Sequence, residues 1–443
     1  MRIKLFKAES VHGSFSPKVD FSKNPTILIA PNGAGKTTTL KLIQALLMPN
    51  LSFLLEIQFK SAQIDYEDNG KIKKIHAYKS RGGSILNISH SDSKEELTIP
   101  AVLVDELGED LSPFKRRYEV ERALRVKYGD HPVYIEILAS SKPVFLGLDR
   151  MVRSNMTDEA HPQRGALIGR SVSSNTGLSE SARLIRNAYR MMRTIKDSQS
   201  ERLRTELLFN GFEFTSISPS EITDTLNVRD YFDPKKLKKQ RDDLARAMSS
   251  IGIDEEKSND AINGFFNKAD ELATKIYRER REPNMSAELM FESIINRFAL
   301  RRFENLVAKI QSNTRHLGIT KKITTFINNL NLFFADSRKE ISIDPVGLIR
   351  VVTHNKVEIS VENLSSGEQQ LLIMFSHLHF NEFGDKSSVF VFDEPEVSLH
   401  LRWQELLLPT MLRGTPKAQI IIATHSPEIV GELTENCTDI DYD

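Results

Sequence analysis

The sequence contains one cysteine, Cys437, and one tryptophan. A lone thiol excludes an intramolecular disulfide and any cysteine-rich zinc site. Charge of one sign is also missing. Lys+Arg and Asp+Glu each number 60, so bulk electrostatics favour neither nucleic acid nor a membrane surface. No run approaches the ~20 apolar residues that a membrane span requires. The opening MRIKLFKAESVHG lacks an apolar stretch of signal-peptide length. Internal repeats and sustained heptads are absent too, which argues against a solenoid or a long coiled coil. Together these gaps lead to the expectation of a cytoplasmic protein with no membrane partner. The 443 residues suffice for two or three domains with cores of their own.

What is present is a chain with β-rich ends and a helical middle. RIKLFKAESV (2–11) alternates as a strand, and PTILIA (25–30) is the apolar run of a strand inside a parallel sheet. Residues 36–48 have helical spacing at Leu40, Ile43, Leu46 and Leu47, closed by Pro49. FLLEIQFKSAQIDYEDNGKIKKIHAYKS reads as two antiparallel strands with EDNG (67–70) as the turn. ARLIRNAYRMMRTI, PKKLKKQRDDLARAM and AELMFESIINRFALRRFENLVAKI predict helices, while GRSVSSNTGLSES reads as loop. Strand character returns after 336. We therefore expect an α/β fold in three segments: 1–100 and 336–443 form one head from both chain ends, and 101–335 is a mainly helical, partner-binding insertion. The cluster Lys235, Lys236, Lys238, Lys239 and Arg241 is open to two readings, a solvated helix face or a contact for nucleic acid.

The chemistry-bearing motifs all lie in the two end segments. ILIAPNGAGKTTTL places a Gly-rich loop between an apolar strand and a helix, the context of a Walker A phosphate loop. Ala30 stands at the first glycine of that pattern. Gly33 and Gly35 supply the conformational freedom. Backbone N–H groups of Asn32, Gly33, Ala34, Gly35, Lys36, Thr37 and Thr38 would cradle phosphates at a helix N-terminus. Lys36 would reach the β- and γ-phosphates of ATP, and Thr37 would ligate Mg²⁺. VFVFDEPE (389–396) ends an apolar strand in two acids. Asp393 would hold Mg²⁺ and Glu394 would polarise the attacking water. IIIATHSP (420–427) delivers His425 to the end of another apolar strand, where it could contact the γ-phosphate. LSSGEQQ (364–370) precedes an apolar helix; Ser365 or Ser366 could simply cap that helix.

In the order Walker A, LSSGEQQ, Walker B and late histidine, the chain resembles the ABC-type ATPase superfamily. The resemblance implies that Ser365 and Gly367 contact the γ-phosphate of ATP held on another head, hence a homo-oligomer with shared sites. It covers about 1–60 and 340–435. Lys36 and Ser365 are about 330 positions apart, far more than in transporter subunits, which resembles the soluble, SMC-like branch. DEPEVSLH and ATHSPEIV look most like the overcoming-lysogenization-defect (OLD-like) ATPases, with His400 where transporters carry an aspartate. Gln58 and Gln63 are both candidates for the family's Q-loop glutamine.

OLD-like proteins continue into a TOPRIM nuclease, for which the 18 residues after His425 leave no room. The chain thus resembles stand-alone ATPase subunits of anti-phage systems such as PARIS and Septu. That implies an ATPase acting as sensor or scaffold for a separately encoded effector nuclease or toxin, with nucleic acid or a phage protein as trigger. The alternative implied by the same branch is a recombination-type ATPase that clamps DNA.

Overall fold

The computed structural model describes residues 1–31, 33–102, 113–147, 152–153, 172–212, 232–250, 255–278, 286–312, 315–381 and 389–442. Asn32 lies outside them. In chain order the first part comprises β1 (Arg2–Glu9), β2 (Pro17–Asp20), β3 (Thr26–Ile29), α1 (Lys36–Leu47), α2 (Leu51–Glu56), β4 (Ser61–Asp68), β5 (Lys71–Ser80), β6 (Ile85–His90) and β7 (Glu96–Pro100). α3 (Pro113–Tyr128), α4 (Pro132–Ala139), β8 (Val144–Leu146) and β9 (Val152–Arg153) follow. The middle holds α5 (Val172–Phe212), α6 (Pro234–Ser250), α7 (Glu255–Arg278), α8 (Ala287–Ser312) and α9 (Arg315–Phe334). The last part contains β10 (Lys339–Ile343), β11 (Ile349–Thr353), β12 (Glu358–Ile359), α10 (Ser366–Phe380), β13 (Val389–Asp393), α11 (Leu401–Gly414), β14 (Gln419–Ala423), α12 (Pro427–Val430), β15 (Cys437–Asp439) and β16 (Asp441–Tyr442).

Two larger sheets frame the head. One is antiparallel, in the order β16-β2-β1-β4-β5-β6-β7. Alternate residues of β4 are buried, so a single face meets the core. Its turn to β5 uses Asn69 (φ 52°) and Gly70 (φ 76°), the pair of left-handed residues that a tight hairpin requires. The other sheet runs β15-β3-β14-β13-β8-β9, parallel throughout except for the β8–β9 pair. Every residue of β14 is buried, as for a strand covered on both faces. The α/β class expected from the sequence is the observed one.

Gln419 joins the two sheets. The register of β1 with β4 slips between Ile3 and Leu5, passing over Lys4, and β2 pairs with β1 only from Leu5 onward, so the Ile3 backbone has no strand partner on the β2 side. The buried Gln419 amide fills the gap. Its Oε1 accepts from Ile3 N–H at 2.8 Å, and its Nε2 donates to the Ile3 carbonyl at 2.9 Å and to that of Phe21 at 3.4 Å.

The described residues divide into two compact units, 1–187 with 323–443, and 188–322. The insertion is therefore narrower than 101–335, and the reason is local. Ser140, Ser141 and Lys142 are tied to the head: Ser140 Oγ meets Tyr66 Oη at 2.9 Å, and Ser141 Oγ donates to Asp68 at 2.8 Å. Lys142 Nζ donates to the Leu47 carbonyl at the end of α1. The next strand, β8, then pairs in parallel with β13. At the other side, Ile323, Phe326 and Leu330 of α9 are buried, and Asn329 meets His379 of α10 at 3.3 Å. Two local expectations also change. Residues 53–56 belong to α2 rather than to a strand, and the Ser-rich stretch read as loop is helical from Val172. The second unit has its own core, with Phe232, Leu237, Leu244, Phe266, Leu272 and Ile276 buried.

Replacing Gln419 by leucine keeps the volume but strands the Ile3 N–H and C=O. The expected loss is about 1–3 kcal/mol of stability, read as a lower midpoint in urea unfolding. An unchanged midpoint would mean that water satisfies the slipped segment of β1 equally well.

Candidate phosphate-binding site

Three neighbouring strands of the parallel sheet deliver their ends to one place. β3 runs into the loop before α1, β13 ends at Asp393, and β14 ends at Ala423. Register pairs Asp393 with Ala423 and Ala423 with Leu28. The loop after β3 turns through Gly33 (φ 81°) and Gly35 (φ 79°), both in the left-handed region that glycine enters at no steric cost. Phe15 also crowds Gly35. A Cβ there would lie 2.5 Å from the Phe15 ring. Ala34 N–H closes a turn on the Pro31 carbonyl at 3.2 Å, and Thr37 and Thr38 sit in the first turn of α1.

Lys36 is buried. Its ammonium donates to the Ala30 carbonyl at 2.7 Å and stands 2.5 Å from Nε2 of His425. Burial lowers its pKa, and the acids Glu394, Asp393 and Glu396 pull the other way. His425 Nε2 also lies 3.2 Å from Glu394 Oε1, so the ring stands between the ammonium and the carboxyl. Thr37 Oγ1 donates to Asp393 Oδ1 at 3.2 Å. Burial raises the Asp393 pKa, and this hydrogen bond offsets part of the rise. The structure thus gathers Lys36, Thr37, Asp393, Glu394 and His425 from three separate motifs.

Glu394 is held in an unfavourable backbone shape. Its φ is 52°, a left-handed conformation that costs a non-glycine residue about 1–3 kcal/mol. Its N–H donates to the Ala423 carbonyl at 2.8 Å, which helps to hold the turn. Burial, reinforced by the adjoining Glu396 carboxyl, lifts the Glu394 pKa to about 7. A carboxyl poised near neutrality beside an ammonium and an imidazole can accept a proton or orient a water molecule. A cleft of about 370 Å³ opens alongside, between Ile29–Pro31 and Thr424–Pro427.

Ser365 and Gly367 have other neighbours. Ser365 is the N-cap of α10 in a full capping box: its Oγ accepts from Glu368 N–H at 3.3 Å, and its own N–H donates to Glu368 Oε2 at 2.8 Å. The cap reading of LSSGEQQ is therefore realised. The Glu368 side chain is almost fully buried, and Lys339 and Ser337 donate to it at 2.8 and 2.7 Å. These bonds and the capping hydrogen bonds together lower its pKa against the opposing effect of burial. A Cβ on Gly367 would lie 2.5 Å from the Ser398 carbonyl, so glycine is needed there for close packing. His400 caps α11 through its Nδ1 and is exposed. Gln63 donates to Asp65 at 2.8 Å, whereas the exposed Gln58 neighbours Gly13.

The sequence reading passed over two residues. Phe15 shapes the approach to Gly35, and nothing in its surrounding sequence signals that. Glu396 is visible in the sequence only as the third acid of DEPE. In the structure it accepts hydrogen bonds from Thr424 Oγ1 and from the backbones of His425 and Ser426.

Residues 173–431 match the family described as "AAA domain, putative AbiEii toxin, Type IV TA system". Over 426 residues the chain is 24% identical to "Retron Vc95 probable ATPase" of Vibrio cholerae serotype O1 biovar El Tor, covering 93% of this chain and 68% of that protein. A shorter match, 24% over 123 residues, is to "Retron Ec83 probable ATPase" of Escherichia coli, and spans 26% of this chain and 23% of that protein. Among solved structures, the Smc head domain of Pyrococcus furiosus bound to the C-terminal domain of ScpA aligns with a TM-score of 0.41 and 12% identity, covering 100% of this chain and 94% of that one. The SMC head domain from Thermotoga maritima gives 0.39 and 10%, covering 100% and 95%. The family match extends over more than half of the sequence, and the chain belongs to this AAA-domain family.

Proposed function

We propose that the chain binds Mg²⁺–ATP and hydrolyses it to ADP and phosphate. The observation that carries this reading is the meeting of Lys36, His425 and Glu394 at the ends of β3, β14 and β13. Lys36 holds the β- and γ-phosphates, exchanging the Ala30 carbonyl and the His425 ring for phosphate oxygens. Residues 33–38 offer backbone N–H groups to the same oxygens. The metal fits the chemistry present, because the Thr37 hydroxyl and the Asp393 carboxylate adjoin as two hard oxygen donors. When bound, Mg²⁺ neutralises phosphate charge. Glu394 orients the attacking water and takes its proton, and His425 senses the γ-phosphate.

We further propose that Ser365 and Gly367 close over the γ-phosphate of a second copy, in an ABC-type homo-oligomer. Capping does not conflict with this, because a capped helix start still presents its dipole to an anion. For the wider role, the retron ATPase relatives support a defence-system subunit of the kind the motifs suggested. In that role the chain senses a nucleic-acid or phage-protein trigger and controls a separately encoded nuclease or toxin. The insertion is the docking element, and Phe291 and Ile295, four residues apart on α8, are exposed there. The DNA-clamp alternative draws less support. Within the 235–241 cluster, Gln240 donates to Glu304 and Lys236 lies 4.0 Å from the same carboxylate.

Lys36→Ala is expected to abolish ATP binding in a fluorescent-nucleotide titration. Glu394→Gln is expected to bind ATP but to release phosphate about 10²–10⁴-fold more slowly. Parental turnover in either variant would remove the assignment.

Sharing of sites is tested by mixing. Ser365→Arg and Lys36→Ala proteins should each be inactive, and subunit exchange should restore part of the ATPase activity through the one intact composite site. A mixture that native mass spectrometry shows to contain heterodimers, yet stays inactive, would contradict action between copies.

A further inference from the structure

Glu396 holds a place that the proposed chemistry has not used. It follows the strained Glu394 by two residues, across Pro395. Its Oε1 accepts three hydrogen bonds from one short turn: Thr424 Oγ1 at 2.6 Å, His425 N–H at 2.7 Å and Ser426 N–H at 3.2 Å. A carboxylate oxygen collecting two backbone N–H groups and a hydroxyl forms charge-assisted bonds, stronger than neutral ones. The other oxygen, Oε2, is buried with no well-aligned donor.

The turn that Glu396 grips carries His425, and little else fixes that histidine from the β13 side. The Glu394 N–H bond to Ala423 aligns the two strand ends, but the turn itself begins one residue later. Ser426 anchors the far side, donating from Oγ to Gln404 Oε1 at 2.7 Å and capping α12. Between these anchors, the direction of the His425 Cα–Cβ bond follows from where the N–H groups of 425 and 426 point: that of His425 donates to Glu396, and that of Ser426 is shared between Glu396 at 3.2 Å and Thr424 Oγ1, itself bonded to Glu396, at 2.9 Å. A shift of about 1 Å in a positioned group is enough to cost catalysis heavily, and His425 has ring contacts of 2.5 Å to Lys36 and 3.2 Å to Glu394 to keep.

We infer that Glu396 is a positioning residue: by clamping the 424–426 turn to the loop after β13, it sets the His425 ring between Lys36 and Glu394. The inference rests on the ATPase reading above, since hydrolysis is its readout. Among the described residues the hydrogen bonds of Glu396 run to 424–426 and not to the phosphate loop, so nucleotide affinity and turnover respond differently to its loss. Glutamine retains one acceptor oxygen for the three donors, whereas alanine retains none.

The test is a double-mutant cycle on the full chain with Mg²⁺–ATP, using Glu396→Ala, Glu396→Gln, His425→Ala and the two double variants. Circular dichroism melting identifies the variants that fold. If Glu396→Ala does not, the glutamine cycle decides alone. Glu396→Ala should keep ATP affinity within about threefold of the parent and lose about tenfold or more in kcat, with Glu396→Gln between them. In the His425→Ala background, with kcat compared on the plateau of its pH profile so that the effect of Glu396 on the Glu394 carboxyl drops out, the same change should cost less than about twofold, because the positioning acts through the ring that has been removed. Equal losses in both backgrounds, unchanged kcat, or a fall in affinity matching the fall in kcat would each overturn the inference. A parent protein that binds ATP without turning it over fails differently. It removes the ATPase reading, and the inference with it, before any variant is compared.

Discussion

The parallel alignment of β3, β14 and β13 is the constraint on which the rest of the structure depends. Lys36 and His425 are separated by 389 positions in the chain, yet the ammonium and the imidazole meet at 2.5 Å. Only strand register can bring this about. Pairing of Leu28 with Ala423, and of Ala423 with Asp393, ends the three strands level with one another. The residues after each end then have one place to go. Slippage by one residue would move the ends apart and exchange the faces to which their side chains point. The buried Gln419 at the start of β14 guards this alignment from the other end, by tying that strand to the slipped backbone of β1.

The sequence made the site legible where short motifs coincide with backbone necessity. The glycines at 33 and 35 stand where φ is positive, and Asp393 and Glu394 stand where an apolar strand stops. Position alone placed His425 at the end of β14. Less legible were features that depend on partners distant in sequence. Nothing in the sequence around Gly367 shows that the Ser398 carbonyl occupies the space of a Cβ there. Glu396 looked like the tail of a motif, and its role emerges only when β13 and β14 lie side by side. The membership of 113–147 in the head was hidden for the same reason. The composition of that stretch resembles the middle of the chain, while its hydrogen bonds from Ser140, Ser141 and Lys142 run to the head.

The loop LSSGEQQ answers first to folding. Folding requires its N–H groups to be capped, and Ser365 with Glu368 does so. Glu368 then draws in Lys339 and Ser337 from the segment that follows α9. Asp336, in that same segment, accepts from Trp403 Nε1 at 3.1 Å and pairs with Arg402 of α11 at 2.9 Å. The start of α10, the segment from Asp336 to Lys339 and the start of α11 are thereby held as one polar cluster. A loop fixed this firmly has little freedom left to lose on binding, which agrees with the contact proposed above to a nucleotide carried by another copy.

The account centres on the claim that the Lys36–His425–Glu394 cluster is a phosphate site. An experimentally determined structure of the protein with Mg²⁺ and a non-hydrolysable ATP analogue tests it most directly. The account predicts the β- and γ-phosphates over residues 33–38, Lys36 Nζ moved from the Ala30 carbonyl and His425 onto phosphate oxygens, and Thr37 and Asp393 facing the metal. A nucleotide bound elsewhere, with Lys36 still donating to Ala30 and touching His425, would contradict it.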